Sequence, residues 1–142
     1  MFDAQPQISP QPPAITLYAD GGTIGGSPGR GIYWTVESDR GTTIRKQDLT
    51  GKRRRSDEAE YHALVEALHH LLRIARPGDV AVIFTDSHHV LHHVRRRLRP
   101  RSPRLVELYW ETILTLRELA EREITVILGW CPRQVIRGRL GH

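Results

Sequence analysis

The sequence predicts an α/β fold built on a five-stranded mixed sheet, and three observations carry that prediction. Short apolar runs of strand length alternate with longer segments whose apolar residues recur every three or four positions. Two of the strand-like runs, AITLYAD and VAVIFTD, end in aspartate. The first three strand-like runs follow one another directly, whereas the last two are each preceded by helix. That order joins an antiparallel meander to parallel strands reached by crossovers. A chain of 142 residues suits one domain with a core of ordinary size.

Residues 1–14, MFDAQPQISPQPPA, carry proline and glutamine without periodicity and read as a flexible tail, leaving residues 15–142 as the domain. AITLYAD is a first strand ending at Asp20, followed by six glycines between Gly21 and Gly31. GIYWTVES and TTIRKQDL form the next two strands, and the short turn around Asp39–Gly41 makes them a hairpin. SDEAEYHALVEALHHLLRIA changes to helical spacing, with Ser56 or Asp57 available to cap its start, and RPGD ends it. VAVIFTD is a continuous apolar run of the kind a fully buried strand shows. SHHVLHHVRRRL is a helix stopped by Pro100. PRLVELYWETILTLRELAERE is a longer one, with Leu105, Leu108, Ile113, Leu116 and Leu119 on its apolar side. ITVILGW is the last strand, followed by the basic tail CPRQVIRGRLGH.

Composition narrows the function classes. Hydrophobic residues at 39% and charged residues at 26% are ordinary for a globular protein. No apolar run is long enough to span a bilayer and no targeting segment opens the chain, so no membrane role is expected. The single cysteine, Cys131, excludes an internal disulfide framework and makes the cytoplasm the expected compartment. Net charge is +5, and apart from Lys46 and Lys52 the positive charge is all arginine. Guanidinium groups suit bidentate phosphate recognition, although an arginine-rich genome produces the same composition.

The chemistry is carried by acids. Asp20 and Asp86 end apolar strands, and ligand sites of open α/β sheets gather at the carboxyl ends of strands. Glu58 and Glu60 lie in the first turn of the intervening helix. A favourable helix-dipole position accounts for Glu58, whereas Glu60 lies between Ala59 and Ala63 and can turn toward the sheet. Carboxylates ~4 Å apart repel by about 4 kcal/mol per pair at an effective dielectric near 20. Such a cluster calls for cations, and an all-oxygen donor set suits Mg²⁺ or Mn²⁺. Two ions so held are what phosphodiester hydrolysis uses.

The segments YADGG…GSPGRGIYW, SDEAEYHAL and FTDSHHV together resemble the ribonuclease H type 1 family, matching its DGG…NPG, NN-x-AEY-x-AL and TDS-x-x-V contexts in order. The resemblance runs from about Ile15 to Trp130. It implies a ribonuclease H-like sheet in which strands 4 and 5 lie parallel to strand 1, with helices on both faces and a C-terminal helix that is short or missing here. It also implies that Asp20, Glu60 and Asp86 are catalytic metal ligands for two Mg²⁺ or Mn²⁺ ions. The implied substrate is an RNA–DNA hybrid, with double-stranded RNA as a further candidate. The RNA strand would be cut to 5′-phosphate and 3′-hydroxyl ends by a monomer that needs no small-molecule cofactor. In this picture the glycine-rich stretch from Gly21 and Gly22 to Ser27 is a turn against the minor groove, where ribose hydroxyls are read. Ser56, Ser87 and His88 are the other expected substrate contacts.

The sequence departs from the family at its end. No Asp or Glu follows Glu123. Aligning RGRLGH with the family's NE-x-AD places His142 at or near a fourth, metal-associated acid. Either that histidine joins the catalytic set or it is a frayed terminus. His88/His92 and His89/His93 have the spacing of a helical metal site, and equally of a solvated surface. The basic runs KRRR (52–55) and RRRLRPRSPR (95–104) border the expected substrate face and suggest phosphate contact. Trp34, Tyr61, Trp110 and Trp130 read as core or core-edge aromatics, with Trp130 nearest the substrate. Two other functions share these features: a hybrid- or double-stranded-RNA-binding module without catalysis, and a resolvase-like nuclease on the same fold.

Overall fold

The computed structural model describes residues 14–26, 28–49 and 53–140. The tail through residue 13, Ser27, Lys52 and His142 therefore lie outside the described residues. The elements are β1 (Ile15–Ile24), β2 (Gly31–Ser38), β3 (Thr43–Asp48), α1 (Ser56–Ile74), β4 (Val80–Thr85), α2 (His88–Arg96), α3 (Pro103–Glu121), β5 (Thr125–Trp130) and α4 (Arg133–Leu140). The sheet has the order β3-β2-β1-β4-β5. β1 pairs antiparallel with β2, and β2 with β3, while β4 runs parallel to both β1 and β5. The mixed five-stranded sheet is thus the one the sequence predicts.

The core lies between the sheet and α1. Leu64, Leu68 and Leu71 recur at helical spacing on α1 and are fully buried against Ile15, Leu17 and Ala19 of β1 and Ala81 and Ile83 of β4. Tyr61 is also fully buried. α3 lies beside α1 and adds Leu105, Tyr109, Ile113 and Leu119. α2 adds Val90 and Val94. The opposite sheet face is covered by α4, where Ile136 and Cys131 pack against Tyr18 and Phe84. Helices therefore flank both faces, and the C-terminal helix is present but only eight residues long.

Four expectations need correction. β1 does not end at Asp20; its ladder with β2 continues through Gly21↔Trp34 and Gly22↔Tyr33 to Ile24↔Gly31. β4 is not buried on both sides. Ala81, Ile83 and Thr85 are buried, but Val80, Val82 and Phe84 are only partly covered, because the short α4 cannot roof the second face. α1 has Arg55 at its N-cap position with no side-chain cap, instead of Ser56 or Asp57. Trp110 is not a core residue; it stands 44% exposed on α3.

Candidate active site

Asp20 sits in the middle of the β1–β2 ladder, opposite Thr35, and is 8% exposed. The glycine that follows explains how α1 reaches it. A Cβ built on Gly21 would stand 2.3 Å from the carbonyl oxygen of Ala59 and 2.8 Å from the nitrogen of Glu60. Only a residue without a side chain lets the first turn of α1 lie on the strand there. That close approach sets Glu60 within electrostatic reach of Asp20. Burial, opposed by a hydrogen bond from Ser87, pushes the Glu60 carboxyl up to about 7, and the charges of Asp86, Asp20 and Asp57 add to the shift. A glutamate held near neutrality among three aspartates is a compact negative site.

Asp86 follows directly after β4, and the β5–α4 junction holds it. The amide of Cys131 donates to the Thr85 carbonyl at 3.0 Å, extending the β4–β5 ladder by one bond. The Trp130 indole donates to the Asp86 carbonyl at 3.3 Å. Arg133 Nε, at the start of α4, donates to Asp86 Oδ2 at 3.1 Å. Asp86 Oδ1 is buried without a hydrogen-bond partner. Tyr33, across the ladder from Gly22, is raised by burial and by Asp20 and lowered by Arg137 and Arg133. Arg133 and Arg137, two of the three arginines of α4, therefore act on the same site.

These donors fit a hard divalent cation: carboxylate oxygens only, one of them orphaned, and a glutamate whose ionisation is suppressed by burial first and by neighbouring negative charge second. Among the described residues, no three His, Cys, Asp or Glu side chains close tightly enough to cage an ion as they stand. The hydrogen bond that takes Asp86 Oδ2 toward Arg133 leaves that residue a single oxygen for such a cage.

A groove leaves the carboxylates along the start of α1. A cavity of about 550 Å³ is lined by Pro28, Arg55, Ser56, Asp57, Glu60 and His89. It shares Arg55, Asp57 and His89 with a cavity of about 400 Å³ that also takes in Arg53, Arg99, Arg101 and Arg104. Both basic runs thus meet at one place, between the lead-in to α1 and the α2–α3 connection. Underneath, Arg54 is buried and pairs with Glu58, also buried, and with Asp48 at 2.9 Å. Backbone bonds between Gly29 and Arg54 tie the loop after β1 to the same segment. Glu58, expected to be a dipole partner, is instead one half of this ionic tie.

The predicted substrate contacts divide. Ser56 lines the groove. His88 opens α2 and stacks on Trp130, with ring centroids 4.5 Å apart. Ser87 is buried, accepts from the Val90 amide at 3.2 Å as the cap of α2, and donates to Glu60. Gly21 and Gly22 are ladder residues against α1 and Tyr33 and not the turn itself, which lies beyond them, where Gly25 and Gly26 take positive φ. His89 and His93 stand edge to face at 4.3 Å and form part of the cavity wall. Two participants escaped the sequence reading. Asp57 is legible only as a neighbour of Glu60 on the same helix turn. Arg133 had no signal beyond the basic composition of its segment.

No protein-family profile matches the chain. Solved structures do. The N-terminal ribonuclease H domain of Rv2228c from Mycobacterium tuberculosis, solved as a fusion with maltose-binding protein, superposes with a TM-score of 0.66 at 23% identity, covering 89% of this chain and 95% of that one. Ribonuclease H1 from the halophilic archaeon Halobacterium salinarum gives 0.63 at 22% identity, covering 88% and 90%. LC11-RNase H1, solved in complex with an RNA/DNA hybrid, gives 0.63 at 23% identity, covering 85% and 87%. The class the architecture defines is the α/β proteins with a 3-2-1-4-5 mixed sheet. Within that class, the chain has the ribonuclease H fold.

Proposed function

We propose that this protein is a divalent-metal-dependent endoribonuclease that hydrolyses the RNA strand of RNA–DNA hybrids, leaving 5′-phosphate and 3′-hydroxyl ends. The observation that carries the reading is the coupling of Asp20, Glu60 and Asp86, from three separate segments, in one partly buried cluster. The adjoining arginine-lined cavity supports it, since a polyanion gripped there lies against the carboxylates. A neighbour of the same fold was solved with an RNA/DNA hybrid, which supports the choice of substrate.

Asp20, Glu60 and Asp86 would hold Mg²⁺ or Mn²⁺, two ions in the full arrangement. When bound, the metal lowers the pKa of an attacking water and stabilises charge on the leaving oxygen. The chain's own part is orientation. Ser87 fixes the Glu60 carboxyl by hydrogen bond, the β5–α4 junction fixes Asp86, and Gly21 sets the distance between α1 and β1. Arginines of the groove neutralise backbone phosphates and set the register of the duplex.

The test is cleavage of an end-labelled hybrid with Mg²⁺ or Mn²⁺. Asp86→Asn keeps the side-chain shape and removes the charge, so turnover is expected to fall at least ~100-fold. Cleavage that survives Asp86→Asn overturns the proposal. Tight hybrid binding with no turnover in either metal selects the non-catalytic binding module, which the absence of any acid after Glu123 favours. Preference for four-way DNA junctions selects the resolvase-like reading.

A further inference from the structure

The β5–α4 junction places in the site a positive charge that the proposed mechanism uses only as a brace for Asp86. Arg133 is the first residue of α4, and its Nε is 3.1 Å from Asp86 Oδ2. The two partners differ in exposure: the arginine side chain is 62% exposed and the aspartate side chain 5%. An ion pair between two exposed groups contributes little, but here one partner is an acid shielded from water. Asp20 and Glu60 also act on the guanidinium, so it stands in the field of all three carboxylates. Its attachment is rigid on the Asp86 side, because Cys131 and Trp130 bond the backbone of Thr85 and Asp86. A divalent cation drawn to the same field must share Asp86 with this guanidinium.

We propose that Arg133 is a resident counter-cation of the site, competing with divalent metal for Asp86 and setting the affinity with which metal binds. The inference rests on the metal-dependent nuclease reading. Arg133 neutralises part of the cluster and takes Oδ2, which leaves Oδ1 as the unpartnered oxygen of Asp86. Loss of the guanidinium removes both the repulsion of an incoming cation and the contest for Oδ2, so metal binds more tightly.

The experiment titrates Mn²⁺ into the full chain and follows free Mn²⁺ by electron paramagnetic resonance, scoring only the binding that Asp86→Asn abolishes. Arg133→Gln is expected to tighten this binding by about tenfold, and Arg133→Lys, which keeps the charge, to leave it within about threefold of wild type. Equal or weaker binding by Arg133→Gln, with wild-type binding intact, overturns the inference and leaves the nuclease reading standing. An equal change in Arg133→Lys and Arg133→Gln overturns it too, since charge is then not the cause. No Asp86-dependent binding in wild type or in either variant overturns the metal-dependent reading beneath it. Thermal unfolding of each variant, read beside its metal titration, distinguishes a changed site from a changed fold.

Discussion

Replacing Gly21 with alanine is expected to damage stability and activity together, and the structure sets the size of both effects. The added methyl would lie 2.3 Å from the Ala59 carbonyl oxygen and 2.4 Å from its carbonyl carbon. Ordinary contact begins near ~3.4 Å, so strand and helix must separate by about 1 Å. Both obstructing atoms are helix backbone and cannot rotate away as a flexible side chain would. Overpacking of this kind costs roughly 1–3 kcal/mol, which urea denaturation resolves as a shift in midpoint at unchanged slope. The same displacement carries Glu60 away from Asp20, because the clash falls on the peptide linking Ala59 to Glu60. A misplacement of ~1 Å costs on the order of 100-fold in rate, so hybrid cleavage should fall by about that factor even at temperatures where the variant is fully folded. A variant within ~0.5 kcal/mol of wild type and equally active would refute the argument, because α1 would then not be resting on Gly21.

Two further outcomes follow from charges described above. The Glu60 carboxyl is raised from its ordinary 4.5 to about 7. A raised acid contributes its full stability below pH 4.5 and loses it as pH climbs through 7, a loss on the order of 3 kcal/mol by pH 8. Glu60→Gln, measured by urea unfolding in chelator, should therefore exceed wild type in stability at pH 8, match it near pH 5, and fail to cleave; parallel curves at both pH values would contradict this. Arg54→Met strands Glu58, whose next cation is Arg104 at 3.7 Å, and should cost about 3–5 kcal/mol. The double replacement Arg54→Met with Glu58→Leu should recover most of that in chemical denaturation.

Periodicity made most of the architecture legible, because each element buries one face and its apolar residues follow the period of that face. It failed where backbone contact outranks side-chain pattern. Gly21 and Gly22 look like the start of a turn in one dimension, yet in three they are strand residues, and a helix rests on the first of them. α4 was hard to see because it buries little beyond Ile136 and carries a glycine at Gly138. Glu60 and Asp86 could be read from their positions at a helix start and a strand end, and Asp20 from the apolar run before it, although that residue lies within its strand. Arg133 could not, since its role arises from a partner 47 positions earlier and the surrounding arginines look alike in the sequence. The structural part of Ser87 is hidden for a related reason: its hydroxyl serves the α2 cap and Glu60 at once, from elements that are not neighbours in sequence.

The grip of the β5–α4 junction on Asp86 also bears on how the protein is made. The three acids leave the ribosome first, whereas the residues that steady the third of them, Trp130 to Arg133, are translated some forty positions later. A nascent chain thus carries the three acids before it carries the brace of the third, and Asp86 is fixed only when β5 docks beside β4.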